Sequence, residues 1–260
     1  MGEGINDAPA LKLANVGIVV CDASDIARDA ADVVLLQRSL MVIVEGIREG
    51  REIFANTIKY IKATLVSNFG NFYAIAAASL IISYLPMLPV QILLLNLLSD
   101  FPMIAIATDT VDADELRRPR SYEVKEVVLV ALVLGAVSTI FDFIFFALFR
   151  NHDPAVLQTN WFIGSVLTEL TLIFSIRTRF AFWRGRRPSK SIVILSAMAF
   201  GAALALPFIA VTRGLFEFAV PTRAHLITIL IVVAGYFVIT EIIKNLYYRF
   251  TRGRGREVSA

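Results

Sequence analysis

The sequence predicts a mainly α-helical, polytopic membrane protein, a six-helix bundle preceded by a short α/β piece. Three observations predict it. Of the 260 residues 57% are hydrophobic, and the mean hydropathy is +0.69. The apolar residues fall in long blocks and not in alternation, which is the pattern of spans and not of a sheet. The front of the chain, by contrast, carries short β-branched runs between polar turns.

Taken in order, residues 1–38 read as loop, strand, helix and strand. Val16 to Val20 is a β-branched run suited to a buried parallel strand, Ser24 is an N-cap for a helix through Ala31, and Val33 to Leu36 reads as a second strand. That order is the end of an α/β sheet. From Ser39 the spacing turns helical, with Glu45, Arg48, Glu49, Arg51 and Glu52 on its polar side. This helix, assigned to 39–59, runs without a stop signal into the first apolar block.

Spans of about 20 residues are needed to cross a bilayer, and six segments qualify: 60–84, 88–108, 127–149, 160–178, 191–212 and 225–247. Basic residues follow the second span (Arg117, Arg118, Arg120, Lys125), the fourth (Arg177, Arg179, Arg184, Arg186, Arg187, Lys190) and the sixth (Lys244, Arg249, Arg252, Arg254, Arg256). The loops between carry far fewer, so both termini are expected in the cytoplasm, with 251–260 as a basic tail. The net charge of +3 is therefore topological and does not point to nucleic acid. The one cysteine, Cys21, excludes an internal disulfide framework. Trp161 and Trp183, near span ends, fit interfacial anchoring.

Two groups of residues carry chemistry. The first is Gly2-Glu3-Gly4-Ile5-Asn6-Asp7-Ala8-Pro9-Ala10-Leu11-Lys12. Its glycines let backbone approach a phosphate, and Glu3, Asn6 and Asp7 offer oxygens to Mg²⁺ or its waters. A glycine-rich turn capped by Asn6 or Asp7 is the structural alternative. The second group lies in the spans. Ser67-Asn68-Phe69-Gly70-Asn71 sets two amides three residues apart, and Asn96, Ser99 and Asp100 share a helix ahead of Pro102, which removes a backbone hydrogen bond. An intramembrane carboxylate marks a functional site by default, which singles out Asp100 and Glu169. Asp142 stands between a structural partner and a pathway acid. Glu241, close to the cytoplasmic end, reads as an interfacial ion pair with Lys244 and not as a ligand.

The first stretch resembles the GDGxNDAPALK signature of P-type ATPases, with Glu3 where the family has Asp. SNxG followed by NxxxD resembles that family's cation-site wording. The resemblance covers essentially the whole chain, and stretches such as Leu85-Pro86-Met87-Leu88-Pro89 and Gln158-Thr159-Asn160-Trp161-Phe162 are most similar to the Mg²⁺-importing subgroup. It implies that 1–38 is the end of a HAD-like phosphorylation domain, 39–59 a stalk helix and 60–250 a transport domain in the plasma (inner) membrane. It implies Glu3, Asn6 and Asp7 as Mg²⁺/phosphate residues, and Asn68, Asn71, Asn96, Ser99, Asp100 and Glu169 around the transported cation. Partners would be that cation, the bilayer and, where the two are separately encoded, an N-terminal pump portion.

No DKTGT loop, nucleotide-binding domain or TGE loop occurs in these residues. The chain alone is thus expected to lack ATP hydrolysis, with Mg²⁺ and ATP as cofactors of a complete pump only. The alternatives are a stand-alone six-span cation channel or accessory subunit, and a pump for Ca²⁺, Na⁺ or K⁺.

Overall fold

A computed structural model describes residues 1–117, 119 and 123–257, with side chains described as far as Phe250. Arg118 and Arg120, and the side chains of Arg252, Arg254 and Arg256, lie outside the described residues. The chain forms two compact units, Met1–Arg51 and Glu52–Ala260.

In the first unit, helix α1 (Ala8–Leu13) leads to strand β1 (Ile18–Val20), helix α2 (Asp25–Ala30) and strand β2 (Val33–Leu35). The strands pair in parallel, with Ile18 opposite Val33 and Val20 opposite Leu35. Gly2 makes an isolated parallel bridge to Val19. Ser24 caps α2 as expected, its Oγ accepting from the Ala27 amide at 3.3 Å. Leu11, Val19, Val20, Ala23 and Ala27 form a small core of their own. Gly17 is required for a steric reason: a Cβ there would lie 2.8 Å from the Leu11 carbonyl oxygen. Cys21 is a half-buried free thiol.

Helix α3 (Leu40–Ala78) is one uninterrupted element of 39 residues, so the expected stalk and first span are a single helix, ending six residues before the expected Tyr84. The second unit begins within it and continues with α4 (Pro89–Ile104), α5 (Ala113–Leu116), α6 (Val124–Phe149), α7 (Pro154–Ile176), α8 (Lys190–Ala205), α9 (Ala210–Leu215) and α10 (Arg223–Glu257). Five helices among the described residues are long and apolar enough to cross a membrane: Pro89–Thr108, Val124–Phe149, Pro154–Ile176, Lys190–Phe208 and Arg223–Phe250. α3 falls outside that set because Lys62, Ser67, Asn68 and Asn71 dilute its apolar half.

One expectation is corrected here. The span expected at 191–212 is not one helix. It ends at Ala205, passes through a 3₁₀ turn at Leu206–Phe208 and resumes as α9, because Pro207 has no amide to continue the ladder. Pro102, in contrast, does not end its helix. α4 continues to Ile104 and tightens into a 3₁₀ turn over Ala105–Thr108.

The bundle is organised about α7, which packs on α4, α6, α8 and α10. Its most apolar window is 89% buried, against 28% for α8 and α10. A helix apolar on every side belongs in an interior, and the polar residues α7 carries are held there with it. Close approach of α3 and α6 depends on Gly70 and Gly135: a Cβ on Gly70 would stand 2.8 Å from the Ser138 side chain, and one on Gly135 would stand 3.2 Å from Phe69.

Candidate functional site

The loop Gly2–Asp7 is folded on one carboxylate. Asp7 Oδ2 accepts from the Glu3 amide at 2.9 Å and the Gly4 amide at 3.0 Å. Those amides, Gly4 first, hold the Asp7 carboxyl below the usual carboxylate range. Gly2 must be glycine, since a Cβ would meet Asp7 Cβ at 2.6 Å. Glu3 turns instead to Arg38, whose Nη2 lies 3.2 Å from Glu3 Oε2 and 2.7 Å from Asp22 Oδ2. The hydrogen bond from Arg38 likewise holds Asp22 low. Asn6 is exposed. The three expected Mg²⁺ residues therefore share a loop, but both carboxylates already have partners. No group of three His, Cys, Asp or Glu that could hold a metal occurs among the described residues.

Within the bundle, α3 and α7 bring together two of the expected cation residues that lie 98 positions apart. Asn71 Nδ2 donates to Glu169 Oε1 at 2.7 Å. Glu169 is 5% exposed, and its other oxygen, Oε2, is buried without a hydrogen-bond partner among the described residues. Ser67 and Ser99 stand beside this carboxylate, and Asp100 is within electrostatic reach. Ser99 is 2% exposed and its hydroxyl donates to the Leu95 carbonyl at 3.1 Å. The remaining expected residues lie apart from this interior: Asn68, Asn96 and Asp100 are exposed on the bundle surface. Asn68 and Asn71 thus divide between outside and inside, since three residues of helix turn a side chain by about 300°.

Asp142 has a structural partner. The Trp161 indole donates to its Oδ1 at 2.8 Å, and both side chains are buried. Trp161 is therefore no interfacial anchor: it is 1% exposed, packed edge-on to Phe146 with ring centroids 4.6 Å apart. Trp183, 68% exposed, remains compatible with that role. Glu241 pairs with Lys244 as expected, at 2.6 Å. Both are deeply buried, with Ser175 Oγ donating to Glu241 at 2.6 Å and Lys244 donating to the Ser175 carbonyl at 2.8 Å.

Sequence reasoning missed one polar assembly altogether. Asp109, just after α4, is 5% exposed and receives both Nε and Nη2 of Arg177, at 3.0 and 3.1 Å. The Ser189 amide adds a bond at 3.0 Å, and Lys59 Nζ lies 3.7 Å away. Burial pushes the Lys59 amine down, and the Asp109 charge pulls part of the way back. Asp112 takes the Thr178 hydroxyl at 2.6 Å and the Arg186 amide at 2.9 Å. The chain after α4 is thereby clasped to the chain after α7. Beside it, Lys62 reaches Glu126 at 2.7 Å, and Arg179 reaches Glu126 at 3.1 Å and Glu115 at 3.5 Å. The available signal was the alternation of acids at 109, 112, 114 and 115 opposite the basic run after α7.

Residues 84–246 match the family model described as "Cation transporting ATPase, C-terminus". Over 256 residues, 96% of this chain, the sequence is 38% identical to the magnesium-transporting ATPase, P-type 1, of Escherichia coli K12. It is 36% identical over 256 residues to the protein of that name from Salmonella typhimurium strain LT2. It is 31% identical over 208 residues, 76% of the chain, to a calcium-transporting ATPase of Bacillus subtilis 168. The chain spans 28% of the length of the first two relatives and 23% of the third.

Proposed function

The chain belongs to the cation-transporting ATPase family, as a C-terminal portion, and from that premise we propose that its second unit binds and conducts Mg²⁺ within a P-type pump. The observation that carries the reading is the Asn71–Glu169 contact, in which one carboxylate oxygen is held by an amide while the other, with Ser67 and Ser99 beside it, is buried with no hydrogen bond of good geometry among the described residues. A native orphan of this kind calls for a ligand, and an ionised carboxylate at that depth calls for a cation.

Mg²⁺ keeps much of its water and accepts few carboxylates, whereas Ca²⁺ takes six to eight oxygens. One buried acid with an amide and the hydroxyls of Ser67 and Ser99 beside it suits the former. The higher identity to magnesium-transporting relatives than to the calcium-transporting one supports the same choice. The exposed Asn68, Asn96 and Asp100 are polar groups at membrane depth, and such groups need a cover of further helices from the same or another chain. That favours a larger pump over a stand-alone channel, with Asp100 and Asn96 lining the side of the cation path that the added helices close. The second half of α3 serves as the first of six spans, and both ends of the chain face the cytoplasm of a plasma membrane. In the complete pump the phosphoryl chemistry that drives transport belongs to segments outside these residues.

The test is a chimera in which residues 1–260 replace the matching portion of the E. coli magnesium-transporting ATPase, in a strain that cannot grow at low Mg²⁺. Growth is expected to be restored, and to be lost again with Glu169→Gln or Asp100→Asn at equal membrane expression. Restoration that survives Glu169→Gln would remove Glu169 from the site. A chimera that moves Ca²⁺ and not Mg²⁺ would overturn the choice of ion.

A further inference from the structure

The chain holds two histidines in 260 residues, and the fold brings them together. His152 lies in the turn between α6 and α7, and His225 in the first turn of α10. Their ring centroids stand 5.3 Å apart with the planes at 90°. Phe149, the buried last residue of α6, closes one side, its ring 5.3 Å from His225 and 6.0 Å from His152. The backbone fixes both positions: the His152 amide donates to the Phe149 carbonyl at 3.0 Å, and the His225 amide donates to Thr222 Oγ1 at 3.2 Å. Against His225 stands Asn160 of α7, which is 1% exposed and has its Nδ2 3.3 Å from His225 Nδ1. The Asn160 Oδ1 is buried with no hydrogen-bond partner among the described residues. This group sits at the opposite end of α7 from Arg177 and the Asp109 clasp, and Asn160 is about 13 Å of helix rise from Glu169.

Two imidazoles from separate elements, with His152 exposed and His225 half-buried, are the donors of a borderline divalent metal. Imidazole nitrogen suits Zn²⁺, Ni²⁺ and Cu²⁺, whereas Mg²⁺ takes carboxylate, carbonyl and water. Zn²⁺ binds imidazole nitrogen at about 2.0–2.1 Å in tetrahedral array, which sets the centroids of two ligand rings about 5 Å apart. The observed 5.3 Å is that separation. Edge-to-face packing of two neutral rings fits the same spacing, but it gives no use to the orphaned Asn160 oxygen. A metal does. His225 binds one through Nε2 with its proton on Nδ1, and an Asn160 amide turned end for end presents Oδ1 to that proton. An oxygen that accepts from the second ring nitrogen is the ordinary support of a metal-bound histidine. No group of three His, Cys, Asp or Glu that could hold a metal occurs among the described residues, so water completes the shell, as it does in open zinc sites.

We propose that His152 and His225 form a binding site for a transition metal of the Zn²⁺ class, with Asn160 as the residue that orients His225. The site is separate from the one at Glu169 and does not depend on the reading of that carboxylate. A bound ion ties the turn before α7 to the first turn of α10.

The experiment uses the full 260-residue chain, purified without a histidine tag, in lipid nanodiscs with Mg²⁺ in excess. Cu²⁺ is the spectroscopic probe and Zn²⁺ the competitor. One equivalent of Cu²⁺ is expected to give an electron paramagnetic resonance spectrum with coupling to two imidazole nitrogens, lost on adding excess Zn²⁺ and unchanged by further Mg²⁺. Because the chain has no other histidine, that coupling identifies the ligands without any substitution. His152→Ala and His225→Ala are each expected to weaken Zn²⁺ binding at least tenfold and to abolish the rise in melting temperature that Zn²⁺ gives the parent, with the metal-free melt close to the parent's. A spectrum with no imidazole coupling or with one imidazole, or a loss of binding with only one of the two variants, would overturn the proposal. For Asn160, binding is expected to weaken in Asn160→Leu and to persist in Asn160→Asp, which keeps an acceptor for the Nδ1 proton. Equal binding in both variants and the parent would overturn its orienting role.

Discussion

Two polar clusters in the second unit are equally buried and oppositely provisioned. At the Asp109 clasp every carboxylate oxygen has a donor: Arg177 and Ser189 on Asp109, Thr178 and Arg186 on Asp112. Along α7 the carboxylates of Asp142 and Glu169 each have one oxygen bonded and one orphaned. A fully paired buried network fixes one arrangement, because each loss leaves a charge without its partner. An under-satisfied one leaves capacity for something else to bind. The first is what holds two connecting segments in register, and the second is what a transport path requires.

The comparison is broken most decisively at the clasp. Arg177→Ala removes the bidentate partner of Asp109 and leaves a carboxylate that is 5% exposed without its guanidinium. Removing one member of a buried pair costs about 3–5 kcal/mol, so the melting temperature of the detergent-solubilised chain should fall more than with any other change considered. Asp109→Ala combined with Arg177→Ala should cost less than the sum of the two single changes. Additive losses would mean that the two groups act separately and that the clasp is not one unit.

The contrast also explains what could be read from the sequence. Apolar blocks located the five helices that are long and apolar enough to cross a membrane among the described residues, but not 60–84, since such helices must be apolar over about 20 residues. The strand, helix and strand of the first unit were legible from β-branched runs and from Ser24. Asn71 and Glu169 were both named, because polar groups inside a span stand out against their surroundings. The clasp did not stand out: Arg177 and Arg179 at the end of α7 look like the topological charges that follow any span. Only the fold shows that Arg177 is 4% exposed and that Asp109, 68 residues earlier, is waiting for it. Trp161 was misread for a related reason. A tryptophan near a span end is ambiguous until α7 is seen to begin at Pro154, a full turn and more before the apolar block. The break at Pro207 was missed because hydropathy does not register a lost amide.

Packing offers a sharper, smaller test of the transport side. Gly70→Ala would place a methyl 2.8 Å from the Ser138 side chain and push α3 away from α6, one residue from Asn71. Overpacking of this kind costs about 1–3 kcal/mol, and Ser138→Gly in the same chain should recover most of it. A Gly70→Ala chain that melts like the parent would show that the two helices are not held at this distance. Trp161→Phe should cost a similar or slightly smaller amount, about 1–3 kcal/mol for a buried acceptor left without its donor. Combining it with Asp142→Asn should reduce that loss, since the amide demands less of a donor than a carboxylate does.

The smallest expected effect falls on the residue that carries the proposed function. Glu169→Gln keeps an oxygen where Asn71 Nδ2 donates and puts an amide in place of the orphaned Oε2. No ion pair is broken by the exchange, because no Lys or Arg bonds to Glu169 among the described residues. Replacing a poorly compensated buried carboxylate by its neutral isostere is close to neutral or stabilising. The melting temperature should therefore stay within the scatter of the parent or rise, while Arg177→Ala collapses it. A pronounced loss of stability in Glu169→Gln would place that carboxylate in the same class as Asp109, a group the fold needs charged, and would end the distinction between the two clusters.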